Sequence, residues 1–189
     1  MDKKRFLIIS GGNEGADTML MLRSFLAANY GSLEKAPMIM RYLAINTDEF
    51  ADAQYPEHIR LKDTEKLRID ISDIQRIVND SQNFGHLTED LPTEYIVSES
   101  TKRGSSRTPS QGELSMRFYL SDFSKRLDLL LQQLFDPQVF PDPGELCVII
   151  ISSGCTGTGR GIHLEVAMET KRKLVASERN HRIASYVLS

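Results

Sequence analysis

The chain has 189 residues, of which 40% are hydrophobic and 26% are charged, and its formal net charge at pH 7 is −3. A chain of this size can bury a core, and its length predicts a single domain over residues 1–189. The negative net charge excludes a general electrostatic attraction to nucleic acid or to an anionic membrane surface. We therefore expect neither a nucleic acid nor a membrane as a partner.

The termini and the cysteines bear on the cellular compartment. The N-terminus is basic, but the apolar stretch behind it breaks at Gly11 and is too short for a signal sequence or a membrane span. The only cysteines, Cys147 and Cys155, lie in an apolar run and in a glycine-rich stretch, which argues against a disulfide framework. These features predict a cytoplasmic protein.

The first part of the chain predicts a strand, a helix and a second strand. Residues 6–9 form a continuous apolar run, which is typical of a strand buried on both faces. Apolar residues then recur at helical spacing over residues 16–30, and Gly31 lies where a C-cap glycine would end the helix. Residues 38–45 predict the second strand. This order predicts a right-handed parallel βαβ unit.

The middle of the chain gives weaker signals. Residues 69–78 predict a helix and residues 95–97 a short strand, whereas residues 102–112 are polar, basic and rich in turn formers and predict a loop or lid. From Met116 to Leu134, apolar residues step by three and four, which predicts one long amphipathic helix ended by Asp136 and Pro137.

The last part predicts a strand over residues 146–151, a largely buried helix over residues 161–176 and a strand over residues 183–188. The expected fold is α/β, a Rossmann-like three-layer parallel sheet with helices on both faces. Because the last predicted strand has no helix after it, we expect either that the chain is the N-terminal portion of a longer domain or that one face of the sheet lacks a helix.

Two glycine-rich stretches, residues 10–15 and 152–161, each lie between a predicted strand and a predicted helix. In a doubly wound sheet such turns gather at the carboxyl edge of the sheet, where ligands bind. Glycine lets the backbone approach a phosphate closely, and a helix N-terminus adds partial positive charge. The stretches therefore predict a phosphate site. The alternative is that each is only a tight turn, in which glycine is common.

Two familiar phosphate motifs do not fit the second stretch. Gly154 and Gly159 have the Walker A spacing, but Arg160 and Gly161 stand in place of the lysine and the hydroxyl residue. A dinucleotide fingerprint through Gly157 and Gly159 fails at Ile162. An ordinary P-loop or dinucleotide-dependent enzyme is therefore the weakest of the alternatives.

Residues 153–159, Ser-Gly-Cys-Thr-Gly-Thr-Gly, resemble the Gly-Gly-Gly-Thr-Gly-Ser/Thr-Gly signature of the tubulin/FtsZ family. Residues 6–15 resemble the first nucleotide loop of that family, and Asn46-Thr47-Asp48 is similar to the ending of its second strand. The matches follow the order of the family and span nearly the whole chain. The basic segment with Gly104 and Arg107 lies where the family has its γ-phosphate loop, and it looks more like that of divergent bacterial tubulin-like proteins.

The resemblance implies binding of guanine nucleotide, GTP or GDP, with Mg²⁺ as a candidate companion. Asp48 would hold that ion through water, or would instead cap a following helix. The resemblance also implies a homo-oligomeric, head-to-tail filament, in which an acidic loop from the next subunit completes the GTPase site; that loop follows the last strand in the family and is not in this chain. The nucleotide-binding residues that it implies are Gly11, Gly12, Asn13, Glu14, Gly15, Asp48, Gly104, Arg107, Gly154, Cys155, Thr156, Gly157, Thr158 and Gly159.

Ser153 and Cys155 stand where the family signature has glycine. Their Cβ atoms would crowd a close approach of phosphate. This departure supports a second hypothesis, in which the chain keeps the nucleotide-binding fold but serves as a scaffold or interaction protein without GTPase activity.

Overall fold

A computed structural model describes residues 4–69, 74–91, 109–138, 144–178 and 180–188. Within these ranges the chain forms five strands and six helices, with a short 3₁₀ turn at Asp63–Glu65. In chain order they are β1 (Lys4–Gly11), α1 (Gly12–Tyr30), β2 (Met38–Asn46), β3 (Lys66–Arg68), α2 (Ile74–Asn79), α3 (Ser81–Thr88), α4 (Pro109–Phe118), α5 (Leu120–Leu134), β4 (Leu146–Ser153), α6 (Gly157–Ala176) and β5 (His181–Leu188).

The strands form one sheet in the order β3-β2-β1-β4-β5, and every neighbouring pair is parallel. The predicted α/β fold with an all-parallel sheet is therefore confirmed. The sheet first grows from β1 towards β3, and it then continues from β4 on the other side of β1. The carboxyl ends of β1 and β4 thus meet at the point where the strand order reverses, which is where parallel α/β sheets bind ligands.

Helices cover both faces of the sheet, as predicted. On one face, Met19 and Leu20 of α1 pack with Ile8 of β1, together with Ile59 and Leu61. On the other face, Leu7 and Ile9 lie in a core that includes side chains of α4, α5 and α6. Because β1 is buried on both faces, its alternate side chains enter different cores, which accounts for its unbroken apolar sequence.

Helix α1 ends as predicted, since Gly31 adopts a left-handed conformation with φ of 81°. The prediction of one long helix over residues 116–134 is wrong in detail. The backbone bends at Tyr119, where ψ is 10°, and this separates α4 from α5. The bend allows α4 to follow α6 while α5 lies over β2. Residues 109–112, expected to belong to a loop, form the first turn of α4.

Helix α6 corrects two expectations. It begins at Gly157 rather than near Gly161, so half of the predicted glycine loop is helical. It is also less buried than its composition suggested, because Leu164 and Met168 are 61% and 58% exposed. The strand β5 forms the edge of the sheet next to it, and none of its residues is fully buried.

Other predictions lie partly or wholly outside the described residues. A helix was expected over residues 69–78, and the structure shows α2, which begins at Ile74. Ile69 instead follows β3, and residues 70–73 are not described. The strand expected at residues 95–97 and most of the basic loop also fall outside. No helix in the described ranges has the length and apolar character needed to cross a membrane.

Candidate functional site at the sheet switch point

The two glycine-rich stretches lie side by side at the carboxyl edge of the sheet. Gly11, at the end of β1, pairs in register with Ser152 of β4. Helix α1 begins directly after Gly11, and three residues separate the end of β4 from the beginning of α6. Two helix N-termini therefore meet at the switch point, where their partial positive charges add.

Gly12 is the point of contact between the two loops. Its φ is +75°, a conformation that residues with a Cβ atom rarely adopt. A Cβ atom at this position would lie 3.0 Å from Thr156 Oγ1 and 3.2 Å from the backbone nitrogen of Gly159. The first loop thus approaches the N-terminus of α6 closely enough that only glycine fits without strain.

The second loop is organised by its own side chains. The Thr156 hydroxyl caps α6 by accepting a hydrogen bond of 3.1 Å from the backbone N–H of Gly159. The Ser153 hydroxyl donates to the carboxylate of Glu14, in the first turn of α1, and accepts a bond of 3.1 Å from the N–H of Cys155. Ser153, at a position of the family signature occupied by glycine, therefore joins the two loops. The Cys155 thiol is exposed.

The end of β2 completes the site. The side-chain amide of Asn46 donates to Asn13 Oδ1 over 2.5 Å, and the hydroxyls of Thr47 and Thr158 lie 2.7 Å apart. Asn46, Thr47 and Thr158 are all nearly fully buried. Sequence reasoning identified Asn46 and Thr47 as part of a motif but not as members of the site. The sequence feature that could have identified them is their position, directly after a strand predicted to pair with β1.

Asp48 follows Thr47 directly in the chain and is half-buried. No helix begins after it, since residues 49–52 have no regular secondary structure, so the prediction that it caps a helix is wrong. Gly104 and Arg107 lie outside the described residues.

Several glycines of the site serve the packing of the protein itself. A Cβ atom on Gly15 would lie 2.8 Å from the carbonyl oxygen of Ile151, and one on Gly159 would lie 2.6 Å from the backbone of Ser153. At Gly161, a Cβ atom would collide with the carbonyl oxygen of Pro109, where α4 crosses α6. Glycine content alone is therefore not evidence of a ligand here, because close helix and strand contacts account for these three positions.

The surroundings of the first loop are acidic. A cavity of about 240 Å³ lies beside α1 and is lined by Glu14, Asp17 and Asp52 among others. The Tyr55 hydroxyl donates to Asp17 over 2.5 Å, and this bond raises the pKa of Tyr55 to about 12. No group of three or more His, Cys, Asp or Glu side chains in the described ranges is arranged to hold a metal ion.

A histidine not identified from the sequence links the second loop to the edge of the sheet. His163, in α6, bonds through Nδ1 to the buried Ser152 hydroxyl over 2.6 Å and through Nε2 to the Ser185 hydroxyl of β5 over 2.7 Å. Burial lowers the pKa of His163. A neutral imidazole donates from one ring nitrogen and accepts at the other, so it can bridge the two serines at neutral pH.

Comparison of the chain with family models, with curated proteins and with solved structures found no match. These comparisons therefore lend no support to a family assignment. The likeness to tubulin and FtsZ rests on the three sequence motifs.

Proposed function

We propose that this chain binds the phosphate groups of a guanine nucleotide at the switch point of its sheet. The observation that carries the proposal is the contact of Gly12 with Thr156 and Gly159, because it brings two helix N-termini and two strand-to-helix turns to one place. The three motifs that resemble the tubulin/FtsZ family all converge there: residues 11–15, Asn46-Thr47-Asp48 and residues 153–159.

The first turn of α6 would supply the phosphate donors. The first N–H groups of a helix have no intrahelical acceptor, and Gly157 occupies the first helical position. The N–H of Gly159 is held by Thr156 Oγ1, and a phosphate oxygen would take over this donor. The released Thr156 hydroxyl would then donate to the phosphate as well. Binding would thus replace the hydrogen bond from the Gly159 N–H to Thr156 by a charge-assisted hydrogen bond to the phosphate.

The carboxylate of Glu14 opposes a bare phosphate, because it lies in the first turn of α1 and bonds to Ser153. Mg²⁺ would remove this conflict, since the ion commonly joins one or two carboxylates to substrate phosphates. Glu14 and the half-buried Asp48 are the carboxylates available for it, directly or through water. We therefore propose that nucleotide binding depends on Mg²⁺.

The test is calorimetric titration of the chain with GTP, GDP and ATP, each with Mg²⁺ and with EDTA. We expect binding of GTP and GDP that is tighter with Mg²⁺. Absence of binding by all three nucleotides would refute the proposal, whereas tighter binding of ATP would retain the phosphate site and refute the guanine preference. NADH fluorescence on binding would favour the dinucleotide alternative.

Hydrolysis and assembly belong to the same proposal, on the strength of the resemblance alone. A GTPase of this family would complete its site between subunits, and head-to-tail contacts of that kind propagate into filaments. Sedimentation of the protein with GTP or GDP tests this. Equal amounts of pelleted protein with GTP, with GDP and without nucleotide would refute nucleotide-dependent assembly.

A second candidate function is that of a scaffold without GTPase activity. It is favoured by the way the loops bond to each other, since Ser153 binds Glu14 and Thr156 caps Gly159. In this case the polar groups at the switch point stabilise the fold rather than receive a ligand. Failure of every nucleotide to bind a chain that unfolds cooperatively would support this reading.

A further inference from the structure

A broad groove lies at the opposite edge of the structure from β5. Its volume is about 1380 Å³, and it is bounded by α5, by residues 58–68 and by the first part of β2. The groove exists because β3 is short and pairs only with Ala44, Ile45 and Asn46 of β2. Within the described ranges, no strand pairs with residues 38–43 of β2 on that side.

The groove is basic although the chain as a whole is acidic. Its lining includes seven Arg and Lys side chains against three Asp and Glu, a net charge of +4, whereas the whole chain carries −3. Lys62 and Arg68 are exposed, and Arg41 and Arg126 are half-buried. None of these four takes part in an ion pair among the described residues.

The floor of the groove combines backbone and apolar surface. The Met40 carbonyl accepts a hydrogen bond of 3.0 Å from Arg41 Nη1, so a strand that bonds to this carbonyl would displace the Arg41 side chain. Leu129 of α5 is 57% exposed beside it, and Met38 and Met40 are half-buried. An unpaired strand edge next to apolar side chains is the surface that an added strand uses.

We propose that this groove binds an acidic peptide segment in extended conformation, which adds to the edge of β2. Main-chain hydrogen bonds to residues 38–43 would supply part of the affinity, and alternate side chains of the peptide would face the methionines. Its carboxylates would meet Lys62, Arg68, Arg41 and Arg126, which raises the association rate and selects against basic partners.

The lining favours a peptide over a nucleic acid. Single-stranded nucleic acids bind on exposed aromatic faces as well as on basic side chains. Here Phe50 is half-buried with Lys66 Nζ 5.9 Å from its ring centroid, and Tyr119 is half-buried and packs edge-on against Phe118. Tyr42 is only 5% exposed, and its ring is covered by the Arg23 guanidinium at 4.7 Å. Arg23 itself is buried and paired with Glu65 at 2.7 Å, so neither residue offers a stacking face.

The test measures fluorescence anisotropy of labelled probes on the 189-residue chain. The probes are a short peptide of alternating glutamate and valine, the corresponding lysine peptide and an oligothymidylate. We expect only the acidic peptide to bind, and we expect its affinity to fall with salt. Tighter binding of the oligothymidylate, or no binding of the acidic peptide, would overturn the proposal.

Charge reversal locates the site. The double variant Lys62→Glu/Arg68→Glu should weaken binding of the acidic peptide by about tenfold, because it replaces two exposed cations that face the peptide carboxylates with like charges. The matched control, Lys171→Glu/Arg182→Glu, changes the net charge equally, on α6 and on the β5 edge of the sheet, and should leave affinity within about twofold. Equal losses in both variants would show nonspecific attraction and overturn the site.

A backbone-modified probe tests the mode of binding. N-methylation of alternate residues of the acidic peptide removes main-chain donors on one edge while keeping its charge. Of the two peptides methylated on opposite edges, one should lose about tenfold or more in affinity, since it can no longer donate its main-chain hydrogen bonds to β2. Unchanged affinity for both would overturn strand addition.

Discussion

The hydroxyl groups of Thr47 and Thr158 lie 2.7 Å apart, although 111 positions separate the two residues in the chain. Thr47 follows β2 and Thr158 lies in the first turn of α6, and both are buried. This bond and the one between Asn46 and Asn13 join the ends of three elements into one polar junction under the two loops. The junction fixes the spacing on which any phosphate site here depends.

We expect the threonine pair to stabilise the fold in a coupled manner. Thr47→Val keeps the shape of the side chain but removes the hydrogen bond to the buried Thr158 hydroxyl, which should cost about 0.5–1.5 kcal/mol of unfolding free energy. Thr47→Val/Thr158→Val should cost less than the sum of the single changes. Urea unfolding of the four proteins of the cycle measures this, and additive costs would contradict the coupling.

Gly12 should not tolerate a side chain. Gly12→Ala places a Cβ atom 3.0 Å from Thr156 Oγ1 at a φ of +75°, and such strain costs about 1–3 kcal/mol. Gly85→Ala is the matched control, because Gly85 lies in α3 with no atom within 4 Å of the added Cβ. That change should stabilise the chain by up to about 1 kcal/mol. Thermal unfolding compares them, and equal shifts would contradict the strain at Gly12.

Glu14 should oppose nucleotide when no metal is present. In EDTA, Glu14→Gln should raise the affinity for GTP about fivefold, because removing a like charge a few ångströms from a phosphate is worth about 1 kcal/mol. In Mg²⁺ the wild-type chain should gain more affinity than the variant does, since it keeps a carboxylate for the ion. Calorimetry under both conditions gives the four affinities.

Glu178→Gln is the control for this charge, because Glu178 lies beyond the far end of α6. It should leave GTP binding unchanged in both conditions. An equal effect of the two variants would mean that net charge, rather than the position of Glu14, governs binding.

The sheet could be predicted because buried parallel strands carry their own signal. The apolar runs of β1, β2 and β4 each lie between charged or turn-forming residues, and the order of strand, helix and strand allows few topologies. The bend at Tyr119 had no such signal, since the spacing of apolar residues continues through it. It depends on the different partners of α4 and α5, which only the tertiary structure provides.

The candidate site could be predicted in its location but not in its internal bonding. The contact of Gly12 with Thr156 depends on β1 lying beside β4, which the sequence did not predict. The sequence did predict that the two glycine-rich stretches gather at one edge of the sheet, from the strand that precedes each of them. The bond between Ser153 and Glu14 could not be predicted, because a serine in place of a signature glycine does not reveal which group its hydroxyl contacts. The close packing at Gly161 could not be predicted either. A single sequence does not distinguish a glycine that contacts a ligand from one that contacts a helix.

His163 should make the stability of the chain depend on pH. Burial lowers its pKa in the folded chain below the usual 6.5, so below that pH the unfolded chain binds more protons than the folded one. The contribution of His163 to the unfolding free energy is therefore fully present above pH 6.5, and it decreases as the pH falls below 6.5. The hydrogen bond of Arg172 lowers the pKa of Glu169 from 4.5, and that carboxyl therefore loses its contribution only at more acidic pH.

The measurement is the melting temperature of the wild-type chain and of His163→Gln at pH 8 and pH 5. Glutamine does not titrate, and it can retain a hydrogen bond to Ser152 or Ser185, so the variant should lose less stability than the wild type between the two pH values. At pH 8 the wild type should be the more stable, because its ring bridges both serines. Equal losses in the two proteins would mean that the bridge does not control this pH response.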